Sequence, residues 1–200
     1  PTEGFPNGSF EEGLKYWGGW ENGEVGDIII RNHKPNDSTA AADGQNSLKI
    51  TAENGGAGIY SYFSYSPGDT LVYTFSYMIP SSINIVDGAP AFNLQARTQA
   101  TNENDSFIGD GNMKYFSCDS TGDNQLIADG DWHTVTVKFA NSSLETSGTY
   151  FQVWFWEWSV WNWIAPDREL IAYLDNFQVS IKQSQDPKPT DFSILYPKSG

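Results

Sequence analysis

A chain of 200 residues is long enough to bury one core and leave a tail over. Its 15% aromatic content, eight Trp and 19 Gly argue against disorder and suit many strands joined by Gly-rich turns. A formal net charge of -14 disfavours nucleic acid and anionic membranes and leaves neutral partners open.

In chain order the recurring unit is a short alternating run between turn signals, with neither a fixed-period repeat nor a sustained helical stripe. Asp27 to Arg31 is apolar at Ile28, Ile29 and Ile30. Ser47 to Ile50 follows the turn Asp43-Gly44-Gln45-Asn46, and Ile59 to Tyr65 alternates Tyr with Ser. Leu71 to Ile79 places Tyr73, Phe75 and Tyr77 on one face. In Phe92 to Gln99, Phe92, Leu94 and Ala96 point one way while Asn93, Gln95, Arg97 and Gln99 point the other. A polar loop, Thr101 to Gly111, leads to a short strand from Met113 to Cys118. Asp129-Gly130-Asp131 turns into Trp132 to Phe139, where Val135 and Val137 alternate with threonines. Leu170 to Ile181 reads as the last strand. About ten strands and no helix predict an all-β, antiparallel β-sandwich.

The domain is expected to span 1–182. Residues 183–200 read as a polar, Pro-containing linker and the start of a following domain. No signal peptide is visible at Pro1-Thr2-Glu3, so the chain reads as a mature protein or an excised domain. No apolar run approaches a membrane span. Cys118 is the single cysteine, which rules out an internal disulfide; a metal can take the place of such a staple.

The chemistry concentrates in Phe151-Gln152-Val153-Trp154-Phe155-Trp156-Glu157-Trp158. Alternation gives Phe151, Val153 and Phe155 to the core and Gln152, Trp154, Trp156 and Trp158 to the opposite face. Three tryptophans in a row on an outer face make a platform for a flat, hydroxyl-rich ligand, a sugar chain above all. Asn93, Gln95, Arg97 and Gln99 supply hydrogen-bonding groups of the same parity, and Tyr60 and Tyr62 are candidates for the same face. Aromatics interspersed with a few polar groups are the usual make-up of a ligand site. The bland alternative is a solvated sheet face with the Trp row covered by loops.

A glycoside hydrolase is the rival class. It needs two carboxylates flanking the scissile bond. Glu157 is on the core parity, and its nearest acids, Glu145 and Asp167, fall in expected loops. His33 and His133 are too few for a metal-hydrolase cluster, and Cys118 has no local partner to mark a nucleophile. A non-binding spacer or interaction domain is the third class, since a β-sandwich hosts many functions.

The opening Asn7-Gly8-Ser9-Phe10-Glu11, with Gly13 and Trp17, resembles the start of carbohydrate-binding modules of the galactose-binding-like jelly roll, such as families 4, 16 and 22. Gly44 to Ile50, Asp129 to Trp132 and Tyr173-Leu174-Asp175-Asn176-Phe177 resemble three further stretches of those modules in the same order. The resemblance implies a non-catalytic module that binds a neutral glycan of the β-glucan, xylan or mannan class. Together with the linker-like tail, the acidic charge and the short apolar runs, the expectation is a secreted monomer tethered to other domains, with neither nucleic acid nor membrane insertion. The resemblance also implies a structural calcium ion where the first, "Leu-Lys" and last strands meet. Glu11 and Asp175 would give carboxylates, and Ser9, Lys49 and Asp175 backbone carbonyls. Oxygen ligands of this kind suit a hard cation.

Overall fold

The computed structural model describes residues 5–22, 25–37, 40–53, 56–65, 69–83, 90–98, 106–107, 113–118, 120–139, 148–157 and 169–183. Eleven strands occur among them: β1 (Trp17–Asn22), β2 (Val25–Asn32), β3 (Asn46–Glu53), β4 (Gly56–Tyr65), β5 (Thr70–Met78), β6 (Pro90–Thr98), β7 (Ser106–Phe107), β8 (Met113–Ser117), β9 (His133–Phe139), β10 (Gly148–Glu157) and β11 (Glu169–Lys182). One short 3-10 turn spans Gly122–Asn124.

The strands form two antiparallel sheets. The first runs β1-β4-β10-β6-β7, with β8 also paired to β6; the second runs β2-β3-β11-β5-β9. Between them lies an apolar core that includes Leu48, Ile50, Ile59, Leu71, Phe75, Leu174 and Val179. The alternation read from sequence accounts for that core. Tyr73, Phe75 and Tyr77 are buried along β5, and Val135 and Val137 are buried while their threonine neighbours are exposed.

Two elements differ from the sequence reading. The opening motif, aligned with a first strand, is instead a series of turns over residues 6–16. Backbone signals explain this: Asn7, Phe10, Gly13 and Tyr16 all have positive φ, which a strand excludes. The first strand is β1, which the glycines of Trp17-Gly18-Gly19-Trp20 conceal, because Gly is a poor strand former. The two-residue β7 likewise sits inside the stretch expected to be a polar loop.

The opening turns pack an aromatic cluster between the sheets. Trp17 lies 5.0 Å from Phe177 and 5.4 Å from both Phe5 and Phe10, and Phe177 stacks on Phe75 at 4.9 Å and 9°. Phe75 is wholly buried there, so Phe75→Ala should destabilise the fold by about 3–5 kcal/mol in chemical denaturation. A loss under about 1 kcal/mol would mean that the cluster collapses onto the gap.

Candidate functional site

Strand pairing assembles the outer face of the first sheet from distant segments. Trp20, Gly58, Trp154, Asn93 and Tyr115 stand opposite one another across five strands. The adjacent row on one side is Gly18, Tyr60, Gln152, Gln95 and Met113. On the other it is Asn22, Gly56, Trp156, Ala91 and Ser117. Arg97 stands one row beyond Gln95, opposite Tyr150, which is paired with Tyr62.

Described neighbours fix which parity is inward. Ile59 and Ser61 on β4 are fully buried, and Trp17 on β1 is in the core. A Cβ placed on Gly19 would meet Ile28 of the second sheet at 2.7 Å. Gly18, Tyr60 and their row are therefore on the outer parity, and Gly58 and Gly56 share it. Tyr60 is half-buried: a Cβ on Gly18 would fall 2.2 Å from its ring, so the ring lies over β1 where Gly18 leaves room. Trp154, Trp156, Gln152, Asn93, Gln95 and Arg97 occupy register positions of this same parity, and Glu157 alternates with them opposite Pro90. Trp158 and Gln99 lie outside the described residues.

Trp20 was missed in the sequence. Its signal was its place in Trp17-Gly18-Gly19-Trp20, at odd spacing from a core tryptophan, but only the pairing of β1 with β4 reveals it.

A second cluster joins the chain's first turns to its last strand. Glu11 Oε1 accepts hydrogen bonds from the backbone N–H groups of Gln45 at 2.8 Å and Asn46 at 2.7 Å. Asp175 Oδ2 accepts from the N–H of Asp43 at 2.9 Å, and its Oδ1 from that of Asn176 at 2.7 Å. Both carboxylates thus converge on the turn before β3. Asp175 sits where β11 bulges between Asp175 and Gln178, next to Asn176 with φ 52°.

Asp175 is fully buried, and no cationic side chain pairs with it among the described residues. Burial pushes its carboxyl up to about 7, with the nearby charge of Asp43 adding to the rise and backbone N–H groups opposing it. A buried acid beside a second carboxylate, with only backbone dipoles to offset it, is an environment short of positive charge. Its oxygen-only donors fit a hard cation such as calcium. Ser9 lies in the opening turns, and Lys49 lies on β3, paired with Tyr173 of β11. No group of three or more His, Cys, Asp or Glu side chains gathers among the described residues.

The remaining reactive side chains are dispersed. His33 is buried with its Nε2 2.6 Å from Ser47 Oγ, and burial lowers its pKa. His133 meets Asp129 at 2.9 Å at the start of β9. Cys118 is buried and in no disulfide.

No family model matches the sequence, and no curated protein does. Solved structures do match the fold. The enzymatically active domain of tailspike protein 4 from bacteriophage CBA120 aligns at a TM-score of 0.58 and 10% identity, over 88% of this chain and 21% of that one. The module TmCBM61 in complex with β-1,4-galactotriose aligns at 0.52 and 11%, over 90% of this chain and all of that one. The tandem CBM22 domain of Paenibacillus barcinonensis Xyn10C aligns at 0.53 and 15%, over 88% of this chain and 48% of that one. At these identities the likeness is one of fold. The chain has the antiparallel jelly-roll β-sandwich seen in carbohydrate-binding modules of the galactose-binding-like class.

Proposed function

We propose that this domain is a non-catalytic carbohydrate-binding module. It binds a neutral polysaccharide or oligosaccharide on the outer face of its first sheet, as part of a larger secreted glycan-degrading protein. The observation that carries this reading is the set of rows just described: aromatic and amide positions from β4, β6 and β10 fall opposite one another on one parity. Indoles cover the apolar faces of pyranose rings, while Gln95, Gln152, Asn93 and Arg97 serve the hydroxyls. Neighbours of the same fold in complex with β-1,4-galactotriose and with xylohexaose support a glycan partner. The net charge of -14 favours a neutral one. A calcium ion held by Glu11 and Asp175, with carbonyls of Ser9 and Lys49, belongs to the same reading and has a structural role.

Calorimetry against β-glucan, xylan, mannan and galactan tests the reading. Burying a large aromatic against a ligand contributes about 1.5–3 kcal/mol, so Trp154→Ala and Trp156→Ala should each weaken binding roughly ten- to a hundredfold. Their melting curves should match the wild type. Binding to none of these glycans by the folded wild-type domain would overturn the reading, and so would hydrolysis of the bound glycan.

A further inference from the structure

We propose that Asn7-Gly8 is a self-modification site gated by folding. The pair is locked in the native domain, cyclises with loss of ammonia once the opening turns come apart, and then cannot restore the lock. The inference is independent of what the outer sheet face binds; it rests on the opening turns and the last strand.

The chemistry is that of the dipeptide. The backbone nitrogen of Gly8 attacks Cγ of the Asn7 side chain. The N–Cγ bond forms and the Cγ–Nδ2 bond breaks. The proton of the Gly8 N–H passes through solvent to the departing nitrogen, which leaves as ammonia, and a five-membered succinimide remains. Water then opens the ring at either carbonyl, leaving aspartate or isoaspartate at position 7; nothing is oxidised or reduced. Glycine after the asparagine makes the attack easy, because its missing Cβ leaves the nitrogen unhindered and the backbone free to turn.

The fold withholds every participant. Asn7 Oδ1 accepts the N–H of Glu12 at 3.0 Å, while Nδ2 donates to the carbonyls of Gly13 at 2.9 Å and Lys15 at 3.1 Å. The leaving nitrogen cannot depart without breaking both of its bonds. Closing the ring also turns the peptide between Asn7 and Gly8, and both of its sides are pinned. The Asn7 carbonyl accepts from the N–H of Phe10 at 3.2 Å and from Trp17 Nε1 at 3.1 Å. Gly8 is buried, its carbonyl accepts the N–H of Phe177, and its Cα faces the carbonyl oxygen of Phe177 too closely for any Cβ.

Neither product fits this lock. Aspartate puts an oxygen where Nδ2 stood, against two carbonyl oxygens, so repulsion replaces two hydrogen bonds. Isoaspartate routes the backbone through Cβ and Cγ, one atom longer beside Gly8. The carbonyl that held Phe10 and Trp17 then becomes part of a side carboxylate. A chain that opens for long enough is marked irreversibly, at the point where the aromatic cluster is anchored.

The test incubates the whole 200-residue chain at about pH 8, in buffer well below its melting temperature and at the same temperature in guanidinium. Peptide mapping by mass spectrometry follows position 7, with Asn22-Gly23 and Asn54-Gly55, the other two Asn-Gly pairs, as internal clocks. In guanidinium the three should react at similar rates. In buffer, position 7 should react roughly a hundredfold more slowly than in guanidinium, the protection given by three hydrogen bonds that open together. Asn7→Asp reproduces one product directly. It tolerates the φ of 55° almost as asparagine does and removes only the two donors, so it should melt several degrees below wild type or fail to fold. Equal rates at position 7 in buffer and guanidinium would overturn the gate. A position 7 that stays intact in guanidinium while the other two pairs react would overturn the site. An Asn7→Asp variant that melts as wild type would show that the lock survives the modification, against the proposal.

Discussion

In chelator, the domain should melt at progressively lower temperature as pH rises from about 4 to about 7, and added calcium should reverse most of that loss. Asp175 sets the window. An unfolded Asp carboxyl releases its proton near 3.8, whereas the buried one keeps it until about 7. Between those values the folded state binds more protons, so each step up in pH favours unfolding; above about 7 the loss is complete and the curve levels. Calcium takes the ionised carboxylate, so its stabilising effect grows over the same range. At a hundred times its dissociation constant an ion that binds only the folded state contributes about 2.7 kcal/mol, or roughly 5–10 °C for a chain of this size. Asp175→Asn should melt independently of calcium, and its difference from wild type in chelator should trace the window. Identical wild-type melting curves with calcium and with chelator at pH 7.5 would exclude the ion. A flat wild-type curve relative to Asp175→Asn would exclude the raised carboxyl.

Gly8→Ala should be among the most damaging small substitutions in the protein. A Cβ on Gly8 would stand 2.1 Å from the carbonyl oxygen of Phe177, and backbone cannot step aside as a flexible side chain can. The N–H of Phe177 donates to the carbonyl of Gly8 at 2.9 Å, so the two segments are also hydrogen-bonded. Separating them would loosen the bulge that holds Asp175 and withdraw Phe177 from the aromatic cluster. The cost should reach about 3 kcal/mol, the upper end of ordinary overpacking. Gly13→Ala is the control: φ is +68° but nothing lies within 4 Å, so only the left-handed backbone penalty of about 1–2 kcal/mol applies. Equal losses in the two variants, by denaturant midpoint, would mean that the Gly8 contact relaxes freely.

Much of this architecture is legible because alternation is a local signal. Tyr73-x-Phe75-x-Tyr77 and Val135-x-Val137 declare their core faces without knowledge of any partner strand. The opening motif was legible as a unit but not as a shape. Asn7 donates its side-chain amide to the carbonyl of Gly13 and accepts from the N–H of Glu12, while Phe10 and Trp17 enter the core and Glu11 reaches the turn before β3. Spacing alone does not separate that knot of turns from a strand. The Trp and polar rows could be given a parity, yet their joining at one register needs the pairing of β10 with both β4 and β6. Trp20 and Gly58 were hidden because each acquires its meaning from a strand far away in sequence.

Strand order carries one more consequence, for how the protein is made. The two latest described strands, β10 and β11, are each flanked on both sides in their sheets. A nascent chain that ends before Gly148 holds β4 and β6, or β3 and β5, with the intervening strand missing, so four inward edges have no partner. Such edges pair readily with other chains, and the contacts that replace them span most of the sequence, which slows their formation. Neither sheet of the described residues can therefore close before β10 and β11 are available.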